Sequence, residues 1–142
     1  MSEKIINILH VEDDEVDAMV MQRALKKTGL NFHYTHAKNG LQALDMLRGT
    51  NGHDKISPRP SIILLDLNMP QMNGHEFLRE LRADQELKPV LVYVLSTSND
   101  DRDRVEAYNN NVAGYIIKPL SLESYIETIN SMNNFWRLIE LP

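Results

Sequence analysis

Apolar residues follow two rhythms along this chain, and the rhythms alternate from end to end. Short β-rich runs fall at residues 4–11, 31–37, 61–65, 90–95 and 112–117. Between and after them the apolar positions recur every three or four residues, which predicts amphipathic helices at about 16–28, 40–48, 74–84, from 98 to about 109, and from 121 onward. Residues 61–65 and 90–95 are almost wholly apolar, as strands covered on both faces must be. Residues 31–37 instead set Phe32, Tyr34 and His36 against His33, Thr35 and Ala37, the alternation of a half-exposed edge strand.

The helices carry their own punctuation. Ala18, Met21 and Leu25 form one face of the first, and Gly29 is its natural stop. Leu41, Leu44 and Leu47 are spaced for burial in the second, and Phe77, Leu78 and Leu81 in the third. Ser98-Asn99-Asp100-Asp101 reads as a Ser-x-x-Asp cap opening the fourth, with Asn109-Asn110-Asn111 as its end. The fifth predicts an inward stripe of Leu122, Ile126, Ile129, Met132 and Phe135. Residues 49–60, rich in Gly, Asn, Ser and Pro, read as an exposed loop. With right-handed crossovers, this (βα)5 alternation implies an α/β, doubly wound, flavodoxin-like parallel sheet in one domain spanning 1–142.

That fold gives meaning to a set of polar residues. Glu12 and Asp13 close the first run, Asp66 the third, Ser96 the fourth, and Lys118-Pro119 the fifth. In an open α/β sheet these strand ends share one edge, where ligands bind. Carboxylates gathered there repel one another unless a cation sits among them, and hard oxygen donors suit Mg²⁺. A carboxylate nucleophile, a hydroxyl and a lysine beside such an ion point to phosphoryl transfer. Any one of these acids alone would more often be a capping or solvated side chain; their convergence carries the signal. The histidines at 10, 33, 36, 53 and 75 lack a clustered ligand spacing, and Met19-Val20-Met21 reads as helix packing.

Composition narrows the classes. A net charge of −5 argues against non-specific nucleic-acid binding. The absence of cysteine removes disulfides and thiolate zinc sites. No run of 18 apolar residues exists, and Met1-Ser2-Glu3-Lys4 does not open a secretory signal, so a soluble cytoplasmic protein is expected.

Val11-Glu12-Asp13-Asp14, Leu64-Leu65-Asp66-Leu67-Asn68-Met69-Pro70, Ser96, and Gly114-Tyr115-Ile116-Ile117-Lys118-Pro119 together resemble the receiver domains of two-component response regulators, in order and over nearly the whole chain. The resemblance implies strand order 2-1-3-4-5 and Asp66 as the phospho-acceptor. It implies an Mg²⁺ site of Asp13 as direct ligand, Glu12 through water, Asp66, and the Asn68 backbone carbonyl. Lys118 would face the phosphoryl group, with Pro119 as a cis proline aiming it inward. Ser96 and Tyr115 would be the switch pair. Thr97, where the family often has Ala or Gly, would slow loss of the phosphoryl group.

The tail from Asn133 to Pro142 and the long 49–60 loop are similar to single-domain regulators of bacterial phytochromes and related sensor kinases. A sensor histidine kinase, phytochrome-type by that likeness, is the implied partner. A homodimer through helix four, strand five and helix five, or through the tail, is a further expectation, with Trp136, Leu138 and Leu141 packing either on the domain's own base or on a second copy. Neither DNA, a membrane nor an effector domain is expected. An Asp-nucleophile phosphohydrolase fits less well, because Asn68 stands where such enzymes want an acid. A receiver-fold interaction module working without phosphorylation stays open, as does the choice between relay, sink and output roles.

Overall fold

The computed structural model describes residues 4–142, so the Met1-Ser2-Glu3 start lies outside the described residues. Five strands alternate with five helices: β1 (Ile6–Val11), α1 (Glu15–Lys27), β2 (Phe32–Ala37), α2 (Gly40–Arg48), β3 (Ile62–Leu65), α3 (Gly74–Ala83), β4 (Leu91–Ser96), α4 (Asp101–Asn109), β5 (Gly114–Ile117) and α5 (Leu122–Trp136). The strands form one parallel sheet in the order β2-β1-β3-β4-β5, as expected. β2 lies at an edge and is only partly buried, and β3 at the centre is wholly buried.

Side chains alternate across a sheet with period two, so each strand feeds two cores. Ile6, Ile8, Ile62, Leu64 and Leu95 face α1 and α5, packing with Met21, Leu25, Tyr125, Ile129 and Trp136. Leu9, Val11, Ile63, Leu65, Val92 and Val94 face α2, α3 and α4, packing with Leu44, Leu47, Phe77, Leu78 and Ala107. This alternation decides where the strand-end residues point.

Local signals fix the helix ends. Asp14 caps α1 by accepting from the Val16 and Asp17 amides. Asn73 and Glu76 form a reciprocal capping box on α3, and Ser121 caps α5. The cap of α4 is Asp100 rather than Ser98. The Ser98 side chain instead accepts from the Asp100 amide and donates to Asp103. Asn111, just past α4, adopts the left-handed conformation with φ of 59°.

Two predicted faces are corrected. Leu41 is exposed, because the buried stripe of α2 runs through Ala43, Leu44 and Leu47. In α5 the buried positions are Tyr125, Ile129, Asn133 and Trp136, and Phe135 turns outward. Trp136 is fully buried against Tyr93, donating its indole N–H to the Tyr93 hydroxyl at 3.2 Å. The tail therefore packs on the domain's own base. Leu141 joins that core, Lys4 donates to the Trp136 and Ile139 carbonyls, Ser61 donates to the Pro142 carbonyl, and Leu138 stays exposed. The 49–60 loop is pinned to α2, with Thr50 and Asn51 donating to Asp45 and the Ile56 amide to the Met46 carbonyl.

Candidate functional site

The parallel ladders continue one residue past the strands, and those residues carry the chemistry. The Glu12 amide donates to the Ala37 carbonyl, the Asp66 amide to Val11, and the Lys118 amide to Ser96. Each functional side chain is thus held by a backbone bond to the neighbouring strand. Parity then sorts them. Glu12 continues the row Ile8–His10, Asp66 the row Ile62–Leu64, and Lys118 follows Ile116, all on the α1/α5 side. Ser96 continues Val92–Val94 and shares the opposite side with Tyr115.

On the first side, oxygens of Glu12, Asp13 and Asp66 all lie within 4.8 Å of one another. Glu12 and Asp66 are buried and Asp13 is exposed, so the cluster opens at its Asp13 rim. Three carboxylates presenting only oxygen fit a hard divalent cation such as Mg²⁺. Asn68 reaches the cluster through its backbone, its amide donating to Asp66 Oδ1 at 3.2 Å. Gly74 underlies this turn: a Cβ there would lie 2.8 Å from the Asp66 carbonyl and 2.6 Å from Leu67 Cα, so any other residue would push the acid out of place.

Lys118 Nζ sits 2.8 Å from Glu12 Oε1, 2.8 Å from Asp17 Oδ2 and 3.5 Å from Asp66 Oδ2. Asp17 was not among the residues singled out in the sequence. The signal was present, since Asp17 stands four residues before buried Met21 and seven before buried Ala24, an acid on the inward edge of α1. Burial raises the Glu12 carboxyl, opposed by its hydrogen bond to Lys118. Burial works against the Lys118 charge, but bonds to Asp17 and Glu12 outweigh it and raise the ammonium. Lys118 is therefore a cation throughout the ordinary pH range.

Behind the acids lies a layer of histidine and tyrosine side chains. His10 is buried, and burial, then His36 and Lys118, push its imidazole down to about 3. His10 Nδ1 meets the Tyr34 hydroxyl at 2.8 Å, and His36 Nε2 meets the Glu12 carbonyl at 2.7 Å. These two contacts tie β1 to β2 beneath the acids. Pro119 is corrected: the cis peptide among the described residues is Ser57–Pro58, and Lys118 is aimed by its ladder bond and its acids.

On the second side, Ser96 is fully buried and its Oγ accepts from the Ser98 amide at 3.1 Å. Ser98 is a junction. Its carbonyl accepts from the Tyr115 hydroxyl at 2.8 Å, and its own hydroxyl donates to Asp103 of α4 at 2.8 Å. Asp103 also meets His75 Nε2 at 3.0 Å, and His75 Nδ1 lies 2.7 Å from Glu106. Tyr115 is half-buried with its ring against the α2–α4 core.

Residues 8–130 match the model of the response regulator receiver domain. The chain belongs to that family. This receiver is 38% identical over 129 residues to the probable methanogenesis regulatory protein FilR2 of Methanothrix harundinacea, covering 91% of this chain and 82% of the relative. It is 34% identical over 136 residues to the response regulator Rcp1 of Synechocystis sp., covering 95% and 92%. A structure of the Mn²⁺-bound form of Rcp1 superposes with a TM-score of 0.86 at 33% identity, covering 96% of this receiver and 99% of that chain. The phosphorylated cyanobacterial phytochrome response regulator RcpA gives a TM-score of 0.88 at 32% identity, covering 98% and 99%. The receiver is thus a two-component signalling domain of flavodoxin-like fold. No helix among the described residues is long and apolar enough to cross a membrane.

Proposed function

We propose that this chain is a stand-alone response regulator that accepts a phosphoryl group from a histidine kinase onto Asp66, with Mg²⁺ as cofactor. The observation that carries the reading is the buried Asp66 carboxylate, grouped with Glu12 and Asp13 and faced by Lys118 at 3.5 Å. Match over nearly the full length of Rcp1 supports the stand-alone part. Glu12, Asp13, Asp66 and the Asn68 carbonyl would hold the ion, which offsets the charge of the incoming phosphoryl group.

An Asp66 carboxylate oxygen attacks phosphorus as the P–N bond of a phosphohistidine breaks, its electron pair leaving with the imidazole nitrogen. Lys118 has three N–H donors; Glu12 and Asp17 take two, and the third faces the new phosphoryl oxygens. Ser96 turns its hydroxyl toward the same group and releases the Ser98 amide. Because Ser98 also holds Tyr115 and Asp103, that release loosens the start of α4.

The output is a change of protein contacts on α4, β5 and α5, where Val105, Tyr108 and Ile117 are exposed and support a homodimer or target surface. The likeness to RcpA favours a phytochrome-type kinase as donor. Net charge of −5 favours protein rather than DNA as the target, in the cytoplasm. The protein assists its own phosphorylation and dephosphorylation and is not a turnover enzyme.

Intact mass after incubation with acetyl phosphate and Mg²⁺ tests this. A gain of about 80 Da, one phosphoryl group, is expected in the wild type and absent from Asp66→Asn and from chelated samples. No adduct on folded wild-type protein would reject the reading.

A further inference from the structure

We propose that Asp17 is a positioning residue, holding Lys118 at a standoff from Asp66 so that the acceptor carboxylate stays free for metal and phosphorus. The proposal rests on the phospho-acceptor reading and assigns a part of the site that the acids and lysine alone leave unexplained. An ammonium group surrounded by three carboxylates is drawn toward whichever lies nearest. Here it makes close contacts with Glu12 and Asp17, both at 2.8 Å, and only a longer one with Asp66, at 3.5 Å, well past the usual charge-assisted hydrogen-bond length.

Asp17 is well placed to exert that pull. It is on the first turns of α1, fixed by the Asp14 cap that receives its own amide. Its side chain keeps 34% of its surface exposed, whereas that of Lys118 keeps 10%. The pair therefore draws the ammonium outward, toward the helix and away from the buried acceptor. The helix is anchored in turn by Met21, Ala24 and Leu25 in the core, so the tether cannot follow the lysine inward.

Without Asp17, two carboxylates remain for the lysine, Glu12 and Asp66, and both are buried. The ammonium then shortens its 3.5 Å contact with Asp66 to a full hydrogen-bonded pair. That pair occupies an oxygen needed for the cation and must break before attack on phosphorus. Loss of Asp17 therefore weakens metal binding and slows phosphoryl uptake, and both effects run through Lys118.

Mg²⁺ affinity by calorimetry and uptake of phosphoryl from acetyl phosphate by intact mass, on five proteins, test this: wild type, Asp17→Ala, Lys118→Ala, the double variant and Asp17→Glu. Asp17→Ala is expected to weaken Mg²⁺ binding about fivefold, within the coupling seen between charged groups in contact. It is expected to slow uptake to a similar extent. In the Lys118→Ala background the same change should alter Mg²⁺ affinity by less than about twofold, because no lysine is left to collapse. Asp17→Glu, which keeps a carboxylate on the helix, should recover part of both losses. An equal weakening in both backgrounds would overturn the proposal, showing that Asp17 acts only through its own charge or through the helix. Wild-type protein without any adduct would instead reject Asp66 as acceptor, and the Mg²⁺ cycle would then decide alone whether Asp17 holds the lysine.

Discussion

The two faces of the sheet end in different chemistry, and the last helix on each, α5 on one and α4 on the other, is held with different firmness. On the α1/α5 face the strand ends present Glu12, Asp66 and Lys118, and the helices behind them are anchored by large apolar groups. α5 alone buries Tyr125, Ile129 and Trp136. On the opposite face the strand ends present Ser96 and Tyr115, and α4 buries a single residue, Ala107. What holds α4 is polar: Ser98 and His75 on Asp103, and His75 beside Glu106. Dispersion and burial over a large ring are hard to undo, whereas partly exposed hydrogen bonds exchange readily with water. The contrast teaches that a charge change on the firm face has a soft element within reach, through Ser96 and Ser98.

The largest break in the comparison comes from the firm side. Trp136→Ala is expected to cost about 3–5 kcal/mol, read as a lower midpoint in urea, because the ring is fully buried and its indole N–H is bonded. Val105→Ala on α4 should stay within about 0.5 kcal/mol of wild type, since that side chain is exposed.

Tyr115→Phe gives a middle effect. It removes the hydroxyl that donates to the Ser98 carbonyl and should cost about 1 kcal/mol. Amide exchange should rise in α4 and the 96–100 loop while α5 is unchanged.

Acid gives the smallest and most local effect. The His75 contact, then Ser98, hold the Asp103 carboxyl below its ordinary 3.8. A depressed carboxyl contributes stability that is present above the unfolded value and is lost as pH falls through the folded one. Amide exchange of α4 should therefore accelerate relative to α5 on acidification below that range. Asp103→Asn should remove the difference.

Much of this was legible because period and strand-end position determine it. Alternating apolar rhythms give five strands and five helices, and their parallel arrangement follows from connections that must cross over, whereas the order 2-1-3-4-5 comes with the resemblance to receivers. The convergence of Glu12, Asp13, Asp66 and Lys118 follows from the same topology, although they come from three distant strand ends.

What stayed hidden depends on three-dimensional choice among similar residues. α5 carries apolar groups on more than one side, so Phe135 and Trp136 compete for the inward position, and only packing against Tyr93 decides for Trp136. Asp17 and Lys118 lie 101 residues apart, and nothing local couples them. Ser98 reads as a helix cap, yet Asp100 two residues later has a carboxylate that accepts from the Arg102 amide, which frees Ser98 for Asp103. Arg82, which donates to the carbonyls of Lys88, Val90, Asn110 and Asn111, ties α3 to the end of α4 without any sequence signature.

The most direct test of the central claim is residue-resolved amide exchange on unmodified and Asp66-phosphorylated protein. For the protein kept dilute enough to be monomeric, the account predicts the largest rise in exchange in the 96–100 loop and α4, with α1 and the buried side of α5 around Trp136 unchanged. A change spread equally over α4 and α5, or none in α4 on fully phosphorylated protein, would contradict it.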